Sequence, residues 1–310
     1  MATILLTGAT GQVGSELRKT LSPLGRVAAP GRAEMDMADA ESVRRVIHEL
    51  KPRWIVNPAA YTAVDKAESE PELAHAINEH AVRAMGEEAQ KIGAGLIHFS
   101  TDYVFDGTGS RPYVEEDPTA PISVYGASKL AGEQALAATG AGHLIFRTSW
   151  VYGATGKNFL LTIVKLARER EKLRIVADQH GAPTWSRDLA RMAAHVIEQV
   201  EADARGGELT EALAKVSGIY HAAGAGETTW HGFASEAVAI AQHREPEIRF
   251  AELEGITTAE YPTPARRPAN SRMSTRKLAE VFGWRMMDWR DSLAGVMAEL
   301  TPAPEEMAKR

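Results

Sequence analysis

Short β-rich runs recur along the first half of the chain, at residues 3–7, 26–29, 54–57, 95–100 and 143–147, with helix-forming stretches between them. In pairs such as Ile55-Val56 and Leu96-Ile97, adjacent side chains on opposite faces are both apolar. Both faces of those strands therefore need cover, as in a parallel sheet. Pro71, followed by Glu72 and by apolar Leu73, Ile77 and Ala81, predicts a helix start and one buried face. The alternation predicts an α/β protein: a Rossmann-type doubly wound parallel sheet with ligands at the carboxyl ends of its strands.

After Trp150 the rhythm changes. Residues 158–170 read as helix, 173–176 as strand, 178–185 as a turn-rich segment, 186–201 as another sheet-covering helix and 218–222 as another strand. The remainder reads as short helices and proline-rich loops, notably 261–268. This predicts a dinucleotide-binding domain of residues 1–150 plus about 186–225. A smaller, discontinuous substrate-binding region takes about 151–185 and 226–302, and the tail 302–310 is expected to fray.

Composition narrows the field. A net charge of −6 gives no general affinity for nucleic acid or anionic membrane, so any anion site must be local. With no cysteine there is no disulfide, thiolate nucleophile or thiolate metal site. The first apolar run is too short for a signal peptide and no stretch approaches a membrane span, so a cytoplasmic location is expected. The ten histidines show no metal-ligand spacing, and neither a Gly-x-Ser-x-Gly elbow nor a Gly-Lys-Ser/Thr loop is present.

Two strings carry the chemistry. Gly8, Gly11 and Gly14 follow the first strand and open a helix; such glycines permit a tight turn and close backbone approach to a pyrophosphate. The second strand ends near Arg32, with no acid at the position that would hold a ribose 2′-hydroxyl. Arg32 suits a 2′-phosphate, which favours NADPH, with NADH as the alternative. Tyr125 and Lys129 stand one helical turn apart on one face. A phenol near pH 10 is a poor proton shuttle, and an ammonium beside it would favour the phenolate. The preceding strand end brings Thr101 to the sheet's carboxyl edge, where a substrate carbonyl would lie.

With these residues in place, the chain resembles the extended short-chain dehydrogenase/reductases and, among them, the dTDP-4-dehydrorhamnose reductase family. The resemblance rests on 8–14 (GATGQVG), 57–68, 100–107 (STDYVFDG), 124–129 (VYGASK), 147–152 (RTSWVY) and 267–272 (RPANSR). It implies Tyr125 as proton donor, Lys129 as its partner and a cofactor ligand, and Thr101 as the group that tunes the tyrosine and touches the sugar, with Asp102 beside it. It implies Trp150 against the sugar; Gly11, Gln12 and Val13 at the pyrophosphate; Asp36 and Met37 at the adenine; and Ala60, Tyr61 and Thr62 along the cofactor.

For a nucleotide-diphosphate sugar, arginine supplies a planar fork for two oxygens at once. Arg266, Arg267 and Arg272, next to Asn270 and Ser271, match the family's substrate-side loop, and Asn158, Gln179 and Thr184 are further cleft candidates. Some members of the family hold an intersubunit magnesium ion on carboxylates. Here Glu16 matches one ligand, the second position falls at Arg187 beside Asp188, and the third near Arg290-Asp291. A guanidinium opposes the ion, so neither that metal nor a metal-linked dimer is expected, and the oligomeric state is left open. The activity implied is NAD(P)H-dependent reduction of the C4 ketone of dTDP-4-dehydro-6-deoxy-L-mannose to dTDP-L-rhamnose. The alternatives are another nucleotide-sugar 4-ketoreductase, an epimerase or dehydratase, and a non-catalytic NADP-binding regulatory subunit. A dehydratase commonly has Asp-Glu after the Ser/Thr, and Thr101 is followed by Asp102-Tyr103.

Overall fold

The computed structural model describes residues 2–204 and 208–300; the expected frayed tail 302–310 lies outside the described residues. Strand β1 (Thr3–Leu6) runs through the glycine turn into α1 (Gln12–Leu21), and the chain returns through β2 (Arg26–Ala28) and α2 (Ala40–Leu50) to β3 (Trp54–Asn57). There follow α3 (Val64–Ala67), α4 (Pro71–His75), a π-helical turn (Ala76–His80) and α5 (Ala81–Ile92). Next come β4 (Gly95–Thr101), a 3₁₀ turn (Asp102–Val104), α6 (Val124–Ala138) and β5 (His143–Thr148).

The chain then leaves the sheet through β6 (Val151–Tyr152), α7 (Phe159–Glu169), β7 (Lys172–Val176), β8 (His180–Gly181) and β9 (Thr184–Trp185). It returns with α8 (Ser186–Ala204), α9 (Leu209–Ala214) and β10 (Gly218–His221). The last part holds β11 (Thr228–Thr229), α10 (Trp230–Arg244), β12 (Glu252–Ile256), α11 (Arg276–Phe282) and α12 (Trp289–Leu300).

Six parallel strands form one sheet in the order β10-β5-β4-β3-β1-β2. Alternation along β1 explains its two-sided cover. Ile4 and Leu6 join Trp54, Val56, Leu17, Leu189 and Val196 under α1 and α8, whereas Leu5 joins Ile55, Leu96, Val43, Met85 and Leu136 under α2, α5 and α6. A separate apolar cluster gathers Tyr152, Leu160, Leu173, Trp185, Phe233, Trp289 and Leu293. The chain reverses direction across the sheet between β1 and β3, which puts the ligand crevice at their carboxyl ends.

The last third is more regular than its sequence suggests. α10 is 15 residues long, and β12 pairs in parallel with β7 over five positions. Glu252-Leu253-Glu254-Gly255-Ile256 carries too few apolar residues to announce a strand alone; β7 supplies its partner. Among the described residues no helix is long and apolar enough to cross a membrane.

Behind the site lies a buried ion pair. Arg147 on β5 donates from Nε (3.0 Å) and Nη2 (2.7 Å) to the two oxygens of Glu133 on α6, and both side chains are at most 3% exposed. Removing one partner would leave the other charge uncompensated. Glu133→Leu is expected to lower unfolding stability by about 3–5 kcal/mol, whereas pairing it with Arg147→Met recovers most of the loss. Urea denaturation of the two variants checks this.

Candidate active site

The glycine turn is held by backbone contacts that no side chain would tolerate. Gly8 is in the left-handed region (φ +53°), and a Cβ on Gly14 would lie 2.1 Å from the Gly8 carbonyl oxygen. Across the crevice, a Cβ on Gly8 would meet the Ala59 backbone at 3.0 Å. Gly11 precedes the first turn of α1, and Val13 packs against the core behind it. Gln12 reaches across to Asn158, whose Nδ2 donates to Gln12 Oε1 at 2.9 Å. This is a backbone cradle open to a diphosphate, with the free N–H groups of a helix start beside it.

The segment after β3 is stapled to α6 through Asn78. Asn78, buried in the π-helical turn, accepts from Tyr61 N (2.8 Å) and donates to Tyr61 O (3.1 Å) and Ser128 Oγ (3.0 Å). Tyr61 is thereby fixed to the π-helical turn, and its hydroxyl donates to Glu70. Asn78 was not foreseen. Its signal is a polar residue inside an otherwise apolar helix face, and π-turns gather at functional sites. Arg32 and Asp36 lie beyond β2 as an exposed pair, 3.8 Å apart, while Met37 packs against the core cluster under α2.

The 3₁₀ turn brings the candidate residues Thr101, Asp102 and Tyr125 together. Thr101 Oγ1 donates to Asp102 Oδ1 (3.0 Å) and accepts from Tyr103 N (3.2 Å). The first turn of α6, capped by Ser123, presses against this turn so closely that a Cβ on Gly126 would lie 2.2 Å from Tyr103 O. Tyr125 therefore sits edge-on to Tyr103, with ring centroids 5.5 Å apart, and its phenol meets the Thr101 hydroxyl. Burial pushes the phenol up to about 12; the Thr101 hydroxyl opposes the shift and the Asp102 charge adds to it. Asp102 is itself raised to about 6 by burial, against hydrogen bonding from Ser271 and Thr101.

One expectation is corrected here. Lys129 was expected to favour the phenolate, but its Nζ is turned to the sheet, donating to Phe99 O (2.6 Å) and lying 3.2 Å from His98 Nε2. Burial lowers Lys129 to about 8, with Glu133 opposing. In this geometry the acidity of Tyr125 is set by burial, Thr101 and Asp102.

On the substrate side, Trp150 takes a left-handed backbone (φ +47°), which is strained for an aromatic residue. Its ring stacks on Trp230 with centroids 3.7 Å apart, over Gly181, where a Cβ would clash at 2.6 Å. Beside this stack opens a cavity of about 660 Å³ lined by Phe159, Ile163, Gln179, Trp230, Tyr261 and Arg267 among others. Gln179 accepts from Trp230 Nε1 at 3.2 Å. Arg267 pairs with Asp65 (2.8 Å) and acts on Tyr103, tying the cavity to the tyrosine pair.

The other candidates make these contacts within the protein. Asn270 is buried: its Nδ2 donates to the carbonyls of Gly109 and Arg111, and its Oδ1 accepts from Arg272 N and Nε. Arg272 also holds Glu227 and Ser110 O, so its fork is committed to loop fastening. Asn158 caps α7 and ties it to Gln12. Thr184 is fully buried between Ala182 O and Gly224 N. Arg266 is exposed. Arg187 lies between two carboxylates, bonding Glu16 (3.0 Å) and Glu299. Asp188 accepts from Met287 N.

The chain is similar to known proteins over nearly its whole length. The family described as the RmlD substrate binding domain matches residues 1–301. A dTDP-4-dehydrorhamnose reductase of Burkholderia thailandensis is 48% identical over 289 residues, which is 93% of this chain and 95% of that protein. The structure of a dTDP-4-dehydrorhamnose reductase from Clostridium acetobutylicum superposes with a TM-score of 0.86 at 34% identity, covering 96% of this chain and 99% of that one. A Bacillus anthracis dTDP-4-dehydrorhamnose reductase in complex with NADP superposes at 0.85 with 33% identity and the same coverage. With a match spanning nearly every residue, the chain belongs to the RmlD substrate binding domain family.

Proposed function

We propose that the chain is an NADPH-dependent reductase of the C4 ketone of dTDP-4-dehydro-6-deoxy-L-mannose, giving dTDP-L-rhamnose. The observation that carries this is the meeting of Tyr125 and Thr101 at the carboxyl edge of β4, beside a glycine cradle at the sheet's reversal point. The names of the relatives and the NADP held by one of them support the substrate and cofactor.

NADPH, when bound, would supply the hydride for C4. As the carbonyl becomes an alkoxide, the Tyr125 phenol would give its proton to that oxygen, and the Thr101 hydroxyl, turned from Asp102, would donate to it while charge develops. A phenol held well above neutrality by burial is in its acid form when needed. Gly8, Gly11 and Gly14 would cradle the pyrophosphate, Arg32 would meet the 2′-phosphate, and Lys129 would hold the nicotinamide ribose. The sheet portion would carry the cofactor. The cavity beside the Trp150–Trp230 stack would take the nucleotide sugar, with Arg267 the arginine nearest its diphosphate.

The direct test supplies the 4-keto-L-sugar from dTDP-glucose by the preceding dehydratase and 3,5-epimerase, and follows loss of NADPH absorbance. Oxidation that requires both upstream enzymes is expected; oxidation without the epimerase would assign a different 4-ketosugar. In that assay Tyr125→Phe is expected to lower kcat about 10²–10⁴-fold with NADPH affinity within about twofold of wild type. Arg32→Ala is expected to weaken NADPH about tenfold and leave NADH unchanged, as titration of protein fluorescence would show. Because Arg187 already neutralises Glu16 and Glu299, EDTA is expected to change neither activity nor the mass measured by light scattering.

A further inference from the structure

One helix, α7, faces two sites. It puts Phe159, Thr162, Ile163 and Leu166 into the wall of the 660 Å³ cavity. Its N-cap, Asn158, is bonded to Gln12 in the glycine turn, 146 residues earlier in the chain. Beyond Asn158 the contacts run on into the cavity wall: the Phe159 ring lies 4.6 Å from Trp230, centroid to centroid, and Trp230 stacks on Trp150. The chemistry above uses none of these links.

Valence fixes the direction of the Asn158–Gln12 bond. Leu161 N can only donate, so the Asn158 atom that caps α7 at 2.9 Å is Oδ1. The other terminal atom is Nδ2, and it faces three oxygens: Gln12 Oε1 at 2.9 Å, Gly153 O at 3.0 Å and Thr155 O at 3.3 Å. Gln12 must therefore present its oxygen to Asn158, which leaves its Nε2 3.5 Å from Val151 O. A second contact, independent of these bonds, holds the same glutamine. Gly156 is in the left-handed region (φ +80°), and a Cβ on it would lie 3.3 Å from Gln12 Cγ, so the 153–158 turn passes closely over the glutamine stem. The backbone N–H of Gln12 opens α1 and has no partner within the helix.

We propose that Asn158 is a positioning residue that links the cofactor turn to the cavity wall. A diphosphate held by the N–H groups of Gln12 and Val13 fixes the backbone of Gln12 and the direction of its side chain. The side chain in turn fixes Asn158, the first turn of α7 and Phe159. Glutamine is among the side chains that lose most rotamer freedom when held. The first ligand to bind meets that cost, and the second finds the link already ordered, so each ligand tightens the other by the same factor. With its oxygen on the helix cap and its amide on Gln12, Asn158 acts on a ligand in the cavity through Phe159 and not by touching it. The inference rests on the proposed function only for which ligand fills which site.

Two variants separate the link from the cap. Gln12→Met keeps the length of the side chain and every backbone N–H, and removes the acceptor oxygen. Asn158→Ser keeps a good N-cap and removes the donor. The first readout needs neither turnover nor sugar: hydrogen exchange by mass spectrometry on peptides covering residues 157–166, with and without saturating NADP⁺. NADP⁺ is expected to slow exchange there about fivefold in wild type and less than about twofold in either variant. No slowing in wild type overturns the proposal, as does slowing that persists in Gln12→Met with NADP⁺ bound. Should one variant fail to fold, the other decides by the same criterion. The second readout is dTDP affinity by calorimetry, expected to be about fivefold tighter with NADP⁺ in wild type. In each variant and in the double variant, the affinities with and without NADP⁺ are expected to agree within about twofold, because both substitutions remove one interaction. A merely structural role would weaken both affinities and leave their ratio at the wild-type value, and that result overturns the proposal. A protein that shows the exchange effect but binds no dTDP would sink the assigned nucleotide sugar and leave the link standing.

Discussion

Burying the amino group of Lys129 is the requirement on which the site's architecture turns. The side chain is 1% exposed, and an amine or ammonium removed from water must find partners in the protein. A parallel sheet provides them at one height, because register places equivalent strand ends side by side. Phe99 O and His98 come from β4, Asn57 from β3 and Thr7 from the residue after β1. All four positions of β3 and all seven of β4 are buried. Asn57, His98 and Lys129 therefore pair with one another there.

The same lysine fixes where α6 must lie, and two glycines make that approach feasible. Inside a helix a glycine is destabilising by roughly 0.5–1 kcal/mol relative to alanine, yet α6 carries Gly126 and Gly132. A Cβ on Gly126 would lie 2.2 Å from Tyr103 O, and one on Gly132 would lie 2.0 Å from Asn78 O. The helix thus gives up intrinsic stability to lie directly on the two backbone segments that flank the reacting groups. Ser128, between them, closes the contact through Asn78. Tyr125 meets Thr101 because its helix is held at both ends of this stretch.

How much of this could be read in the sequence depends on the range of the interaction. The strands of the sheet were legible from apolar runs covered on both faces, and their ends came out within a residue or two. That Tyr125 and Lys129 share one helix and that Thr101 ends a strand was legible from local spacing. The π-turn was not, since one inserted residue leaves helical periodicity almost intact while it redirects Asn78. Nor was the partner of Lys129: the four-residue spacing suggested the tyrosine, but buried His98 and the Phe99 carbonyl compete for the same nitrogen and are nearer to hand in the fold. The arginine cluster shows the same limit. Arg266, Arg267 and Arg272 look alike as charges, and only Asn270, Ser110 and Glu227 reveal that Arg272 is already engaged.

The Trp150–Trp230 stack shows how the two hydrophobic regions act on one cleft. Trp150 ends the strand-edge segment that follows β5, and Trp230 opens α10, which packs on the second apolar cluster. A left-handed backbone at Trp150 persists only where surroundings over-determine it. Here Trp230 lies on one side of the ring, and Gly181 leaves room for it on another. Gln12 and Asn158 form a second tie, from the cofactor turn to the cap of α7. Both ties cross between the sheet and the second cluster on either side of the crevice, so a shift of one cluster moves the glycine turn and the tryptophan wall together. A ketone carbon seated against that wall, as the proposed function has it, would thereby be referenced to the glycine turn as well as to Tyr125. Proximity catalysis needs that common frame, because misplacement of about 1 Å can cost about a hundredfold in rate.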